Sequence, residues 1–127
     1  MVGNPLKVMK VGIISKEEYR QRTIAIAKGE YIPKHGEPKV WFESLQSMAQ
    51  VLSNENQELL KIIIERKPNS LKELEEMTGR KSSNLSRTLN LMASFGIVAL
   101  EKDKKNVRPI VKASSFKVEF GLKRAFG

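Results

Sequence analysis

Apolar and polar positions along the chain change their period several times, and each change marks an element. Residues 6–14, LKVMKVGII, are rich in β-branched and aliphatic side chains and predict a short strand. Ser15 then opens a helix, with Glu18 completing the capping-box spacing, and Gly29 stops it after about Lys28. YIPKHGEPK, residues 31–39, holds two prolines and a glycine and predicts a loop. In VWFESLQSMAQVL the residues Leu45, Met48, Ala49 and Leu52 recur at i, i+3, i+4 and i+7, predicting an amphipathic helix over 43–52.

Ser53 caps the next helix, NENQELLKIIIERK. Its Leu59-Leu60 and Ile62-Ile63-Ile64 leave little polar face, so it is expected to be central and buried, and Pro68 ends it. Ser70 with Glu73 repeats the capping box ahead of a short helix whose core stripe is Leu71, Leu74 and Met77, and Thr78-Gly79 breaks it. GRKSSNLSRTLNLMASFG follows, a helix capped by Ser82 or Ser83 and ended by Gly96. At 100° per residue Leu85, Thr88, Leu89 and Met92 share one face, and Ser83, Arg87, Asn90 and Ser94 lie opposite, with Leu91 on the flank. The period then shortens. IVALEK and VRPIVK read as strands joined by DKKN, a hairpin, with Pro109 on an edge strand because it has no amide proton. FKVEFGL alternates cleanly and sets Phe116, Val118, Phe120 and Leu122 on one face.

These elements predict a mainly α chain with a small antiparallel β hairpin (α+β), a helix-turn-helix with an N-terminal helical extension; the resemblance given below makes the hairpin the wing of a winged helix-turn-helix. The expected organisation is a strand or arm over 1–14, a helical extension with a dimerisation role over 15–52, the winged domain over 53–113, and a C-terminal strand and tail over 114–127. The short helix and the next one are separated by only a few residues, the helix-turn-helix spacing in which the second helix enters a major groove.

Composition narrows the classes. The 127 residues are 40% hydrophobic and 29% charged, enough for one domain with a core and a soluble surface. No run of about 18 apolar residues spans a membrane, and the first residues lack the pattern of a signal peptide, so a cytoplasmic protein is expected. With no cysteine there is no disulfide framework, thiol catalysis or cysteine-ligated zinc. His35 stands alone in a Pro/Gly loop, so neither a metal nor any other cofactor is expected. No nucleophile elbow or phosphate loop is present and no enzyme is expected. Trp41-Phe42 read as core, and Glu73, Glu75 and Glu76 as a solvated helix face.

Charge adds a direction. The net charge is +9, unevenly placed. Residues 53–76 carry four Lys/Arg and six Glu, whereas 77–112 carry eight Lys/Arg against Glu101 and Asp103. Such an excess implies an anionic partner. Double-stranded DNA fits the side-chain chemistry. Arg87 can fork onto guanine O6 and N7, and Asn84 or Asn90 can pair with adenine N6 and N7. Ser82 and Ser83 suit phosphate at a helix start, helped by free amides and the dipole. Arg80 and Lys81 precede that end, and Lys102, Lys104, Lys105 and Arg108 make the hairpin basic, on the backbone or in an adjacent minor groove.

SLKELEEMTGRKSSNLSRTLNLMASFGIVAL resembles the winged helix-turn-helix of MarR- and ArsR-like regulators, through SLKEL on the first helix, SRTLNLM on the second and FGIVAL entering the wing. ISKEE, VWFESL, LSNENQELLKII and VRPIV extend a resemblance to small prokaryotic transcriptional regulators over residues 8–120, some of them thought to be antitoxins. The resemblance implies a DNA-binding regulator, with Ser83, Asn84 and Arg87 at base-reading positions and Lys104, Lys105 and Arg108 on the wing, and a sequence-specific repressor is the expected function. ArsR-like metal sensing does not carry over, for want of ligands. A homodimer on a palindrome is the expected state, with the strands at 6–14 and 116–122 and the helices at 16–28 and 43–52 available to bury an interface. The alternative is an interaction protein, an antitoxin that neutralises a partner toxin and autoregulates its operon. RNA binding ranks third, because Phe95 is the only aromatic in 53–113 to stack on a base.

Overall fold

The computed structural model describes residues 7–122. Residues 1–6 of the expected arm and 123–127 of the expected tail lie outside the described residues. The elements are β1 (Lys7–Ile13), α1 (Lys16–Ala27), β2 (Val40–Phe42), α2 (Leu45–Val51), α3 (Asn54–Arg66), α4 (Leu71–Thr78), α5 (Ser82–Ser94), β3 (Val98–Asp103), β4 (Asn106–Val111) and β5 (Ala113–Glu119). They fall into two units: one holds Lys7 and Gln50–Ser115, the other Val8–Ala49 and the residues from Phe116 on.

The second unit overturns the expected fold class. It holds β2 and most of β1 and β5, a sheet ordered β2-β1-β5 in which β1 and β2 run parallel with Val11 opposite Val40 and Ile13 opposite Phe42. With five helices and five strands among the described residues, the fold is α+β. It is not the mainly helical winged helix-turn-helix with a helical extension that the sequence predicted. The missed strand is β2. Three residues are too few to show alternation, and a parallel pairing is made across a long crossover with no local turn signature. Here α1 and the 28–39 loop provide that crossover. Ser15 caps α1 as expected from the sequence, accepting from the Glu18 amide.

Trp41 lies across β1, and only glycine at position 12 allows it: a Cβ there would meet the ring's Cζ3 at 2.3 Å. The Arg22 guanidinium sits over the Trp41 ring at 5.1 Å and the Tyr31 ring at 5.9 Å. Its charge pairs with Glu37, which also accepts the Tyr31 hydroxyl. Burial opposes ionisation of Glu37, but hydrogen bonds from Tyr31 and Arg22, the Arg22 charge and the Lys34 amide together hold its carboxyl below the usual range. The hydrogen bond to Glu37, with burial, pushes the Tyr31 phenol up. The predicted stripe of α2 is also misplaced: Leu45 and Ala49 are exposed, and Val51 is the buried residue.

The first unit has a continuous apolar core. Leu59, Leu60 and Ile63 of α3, Leu74 of α4, and Leu85, Leu89 and Met92 of α5 are buried together with Ile97, Val98, Val111 and Ala113. Each fully buried side chain of this size contributes about 1.5–3 kcal/mol. Lys67 takes a left-handed conformation with φ 46°, and Pro68 follows it, buried. β3 and β4 form a two-stranded antiparallel hairpin from Val98 opposite Val111 to Asp103 opposite Asn106. Lys104, with φ 59°, makes the turn. Among the described residues no helix is long and apolar enough to cross a membrane.

Candidate nucleic-acid interface

The α4–α5 corner is set by short-range contacts. Ser70 accepts from the Glu73 amide, and the Glu73 carboxylate accepts from the Asn69 amide, one position earlier than in the usual reciprocal box. Gly79, at φ +77°, closes α4 by donating to the Glu75 carbonyl at 2.8 Å. Thr78 donates its hydroxyl to the Leu74 carbonyl and accepts from the Arg80 amide. The chain therefore reverses within Gly79–Lys81, and α5 begins at Ser82 with its apolar face inward.

The sequence-predicted residues separate into two groups. Ser83, Arg87, Asn90 and Ser94 are exposed on one side of α5. The Arg87 side chain has no hydrogen bond or ion pair among the described residues, and neither have the side chains of Lys81, Lys102, Lys104 and Lys105. No internal carboxylate competes with a partner for them. Asn90 presently donates to the Ser86 carbonyl at 2.7 Å on its own helix. Reading adenine would require it to exchange that bond, at a net cost of about 1 kcal/mol.

The other group is committed inside the protein, which corrects several expectations. Arg80 is a clamp: its Nε donates to Asn84 Oδ1 at 2.8 Å, and its terminal nitrogens donate to Asn56 Oδ1 at 3.4 Å and Thr88 Oγ1 at 3.3 Å. It is half-buried, and so is Asn84, whose acceptor oxygen is taken. Arg80 is therefore not poised over phosphate, nor Asn84 over a base. Neither Ser82 nor Ser83 caps α5. The N-cap is Lys81, without a side-chain cap bond, and Glu75 of α4 accepts from both the amide and the hydroxyl of Ser82. A carboxylate thus stands where free amides were expected to meet phosphate. On the hairpin, Arg108 lies opposite Glu101 and pairs with it at 2.7 Å. Both partners are half exposed, so the pair is screened and exchangeable.

Asn56, Glu75 and Thr88 are the residues that reading the sequence missed. Asn56 ties the clamp to the start of α3, since its Nδ2 donates to the Val51 carbonyl at 3.0 Å. No local signal marks these three, because their partners lie on other elements. A groove of about 260 Å³ joins α5 to the hairpin, with Leu71, Leu89, Leu100 and Val107 in its floor and Ser86, Asn90 and Lys102 at its margin. Asn90 and Lys102 thus face one hollow.

A model of the HVO_A0114 family matches residues 51–118. The match takes in just over half of the chain, so the chain belongs to that family. No curated protein and no solved structure matches.

Proposed function

We propose that this member of the HVO_A0114 family is a sequence-specific, double-stranded-DNA-binding transcriptional regulator that acts in the cytoplasm as a repressor. In this reading α5 lies in the major groove, and the β3–β4 hairpin follows the backbone or the adjacent minor groove. The observation that carries it is the division of α5. One side is anchored by Leu85, Leu89 and Met92, and the other offers Ser83, Arg87 and Asn90 on a helix that itself carries no acidic residue. A groove about 12 Å wide admits such a helix, and an unpaired arginine at its middle is the side chain that forks onto guanine. Lys81 at one end and Lys102, Lys104 and Lys105 on the hairpin supply the sequence-independent attraction.

Selection from a random duplex library with the purified full chain, at physiological salt, tests the reading. An enriched motif is the expected result. Binding without enrichment that fades steeply with salt would reduce the surface to a phosphate grip. No binding, together with co-purification of a small basic protein, would favour the antitoxin instead.

A further inference from the structure

We propose that β5 is a self-association strand: two copies of this chain pair their β5 strands antiparallel about a two-fold axis centred on Val118. This stands without the DNA reading. β5 is an edge of the β2-β1-β5 sheet, so one row of its backbone donors and acceptors faces outward. Free edges accept another strand unless something blunts them, and Ala113–Glu119 holds no proline.

The side chains suit that addition. Lys10 of β1 lies 3.4 Å from Glu119, which sets Lys117 and Glu119 on the Lys10 face of the sheet and Phe116, Val118 and Phe120 on the other. That other face is the one carrying Val11, Ile13 and Phe42, which are buried. Ile13 and Phe120 line one hollow, consistent with a continuous apolar face. At the β5 edge this face comes into the open: Val118 is 43% exposed and Phe120, just past the strand, 54%.

The occupant follows from the order of charges. Phe116-Lys117-Val118-Glu119-Phe120 reads the same in both directions, except that its two charges are opposite. Antiparallel pairing about Val118 places Lys117 against Glu119 of the second copy, twice, and Phe116 against its Phe120, twice. Opposite-charge and aromatic cross-strand pairs are the favourable kind. Moving the axis one residue either way sets Lys117 against Lys117 or Glu119 against Glu119, and parallel in-register pairing does both. The segment is thus complementary to itself in a single register. Lys117 has no ion pair among the described residues.

The test is the oligomeric state of the full chain without DNA, by sedimentation over micromolar concentrations. The expected result is a reversible dimer. Lys117→Glu, and separately Glu119→Lys, should each weaken it by about tenfold or more, because each turns two attractive pairs repulsive. The double exchange, Lys117→Glu with Glu119→Lys, should recover most of what the single exchanges lose, short of the Lys10–Glu119 pair it gives up within each copy, and circular dichroism should show all three variants folded. A monomer at every concentration, a dimer indifferent to the single exchanges, or single losses that the double exchange does not repair would each overturn the proposal.

Discussion

Arg80 and Arg87 lie seven residues apart on one turn and helix and do opposite things. Arg80 spends its donors on Asn56, Asn84 and Thr88. Arg87 holds its fork in solvent. Arg87→Ala is therefore expected to leave stability unchanged and to weaken binding to the selected DNA motif by about 1–3 kcal/mol, with a smaller loss on random sequence. Titration of both duplexes decides it, and equal losses would remove the base-reading role. Arg80→Ala is expected to destabilise the fold by about 1–3 kcal/mol, since it leaves half-buried acceptors without a donor. A denaturation midpoint that does not move would show that the clamp contributes nothing. The sequence makes these two arginines look alike, because Asn56 is 24 residues from Arg80 and nothing local announces it.

At the scale of elements, the ends of α5 and the hairpin set what the basic face can do. Glu75 occupies the start of α5 and stabilises it by charge and hydrogen bonds. Phosphate attraction then rests on the unpaired lysines. Replacing Lys104 and Lys105 together by alanine should lower affinity for every DNA sequence and reduce the salt slope by about one charge per lysine, about 0.9 in log–log units each. A slope equal to wild type would mean that the turn does not touch DNA. Lys104 sits at φ 59°, so glycine there is the substitution that removes the charge without straining the turn. Helices α1, α3 and α4, with their serine caps, were legible because capping is a contact between residues three apart. Strand β2 was not, because its partner β1 is about thirty residues away.

For the molecule, the group that ties the 31–39 loop to α1 and β2 predicts a pH response. The Glu37 carboxyl is held low, so it binds a proton less readily folded than unfolded. Its stabilising contribution is present above the ordinary carboxylate range and is lost as pH falls through its folded value. Tyr31 is raised, so its contribution is present below the ordinary phenol range and is lost as pH rises through its folded value. Stability of this unit should therefore peak between the two ranges. Trp41, the single tryptophan, reports the change because Arg22 stacks on it. Glu37→Gln should lower stability at neutral pH by about 1–3 kcal/mol, the range for losing a charged partner from part-buried hydrogen bonds, and flatten the acid limb of the urea midpoint. An acid limb as steep as wild type would place the titrating group elsewhere.

The sequence by itself determined what depends on near neighbours: the serine caps, the glycine stop at Gly79, the inward stripe of α5, the Lys104-Lys105 turn and the excess of positive charge. Tertiary structure alone decided which polar groups remain free. Arg80 meets Asn56 of α3, Ser82 meets Glu75 of α4, and Asn84 is held by Arg80 in the turn, whereas the Arg87 side chain meets none among the described residues. It also decided that the residues around α1 form a sheet with a parallel pair, since strand order and register arise between segments distant in the chain. Gly12 joins the two levels. Its residue type is written in the sequence, but the reason for it is the Trp41 ring that folding lays across it.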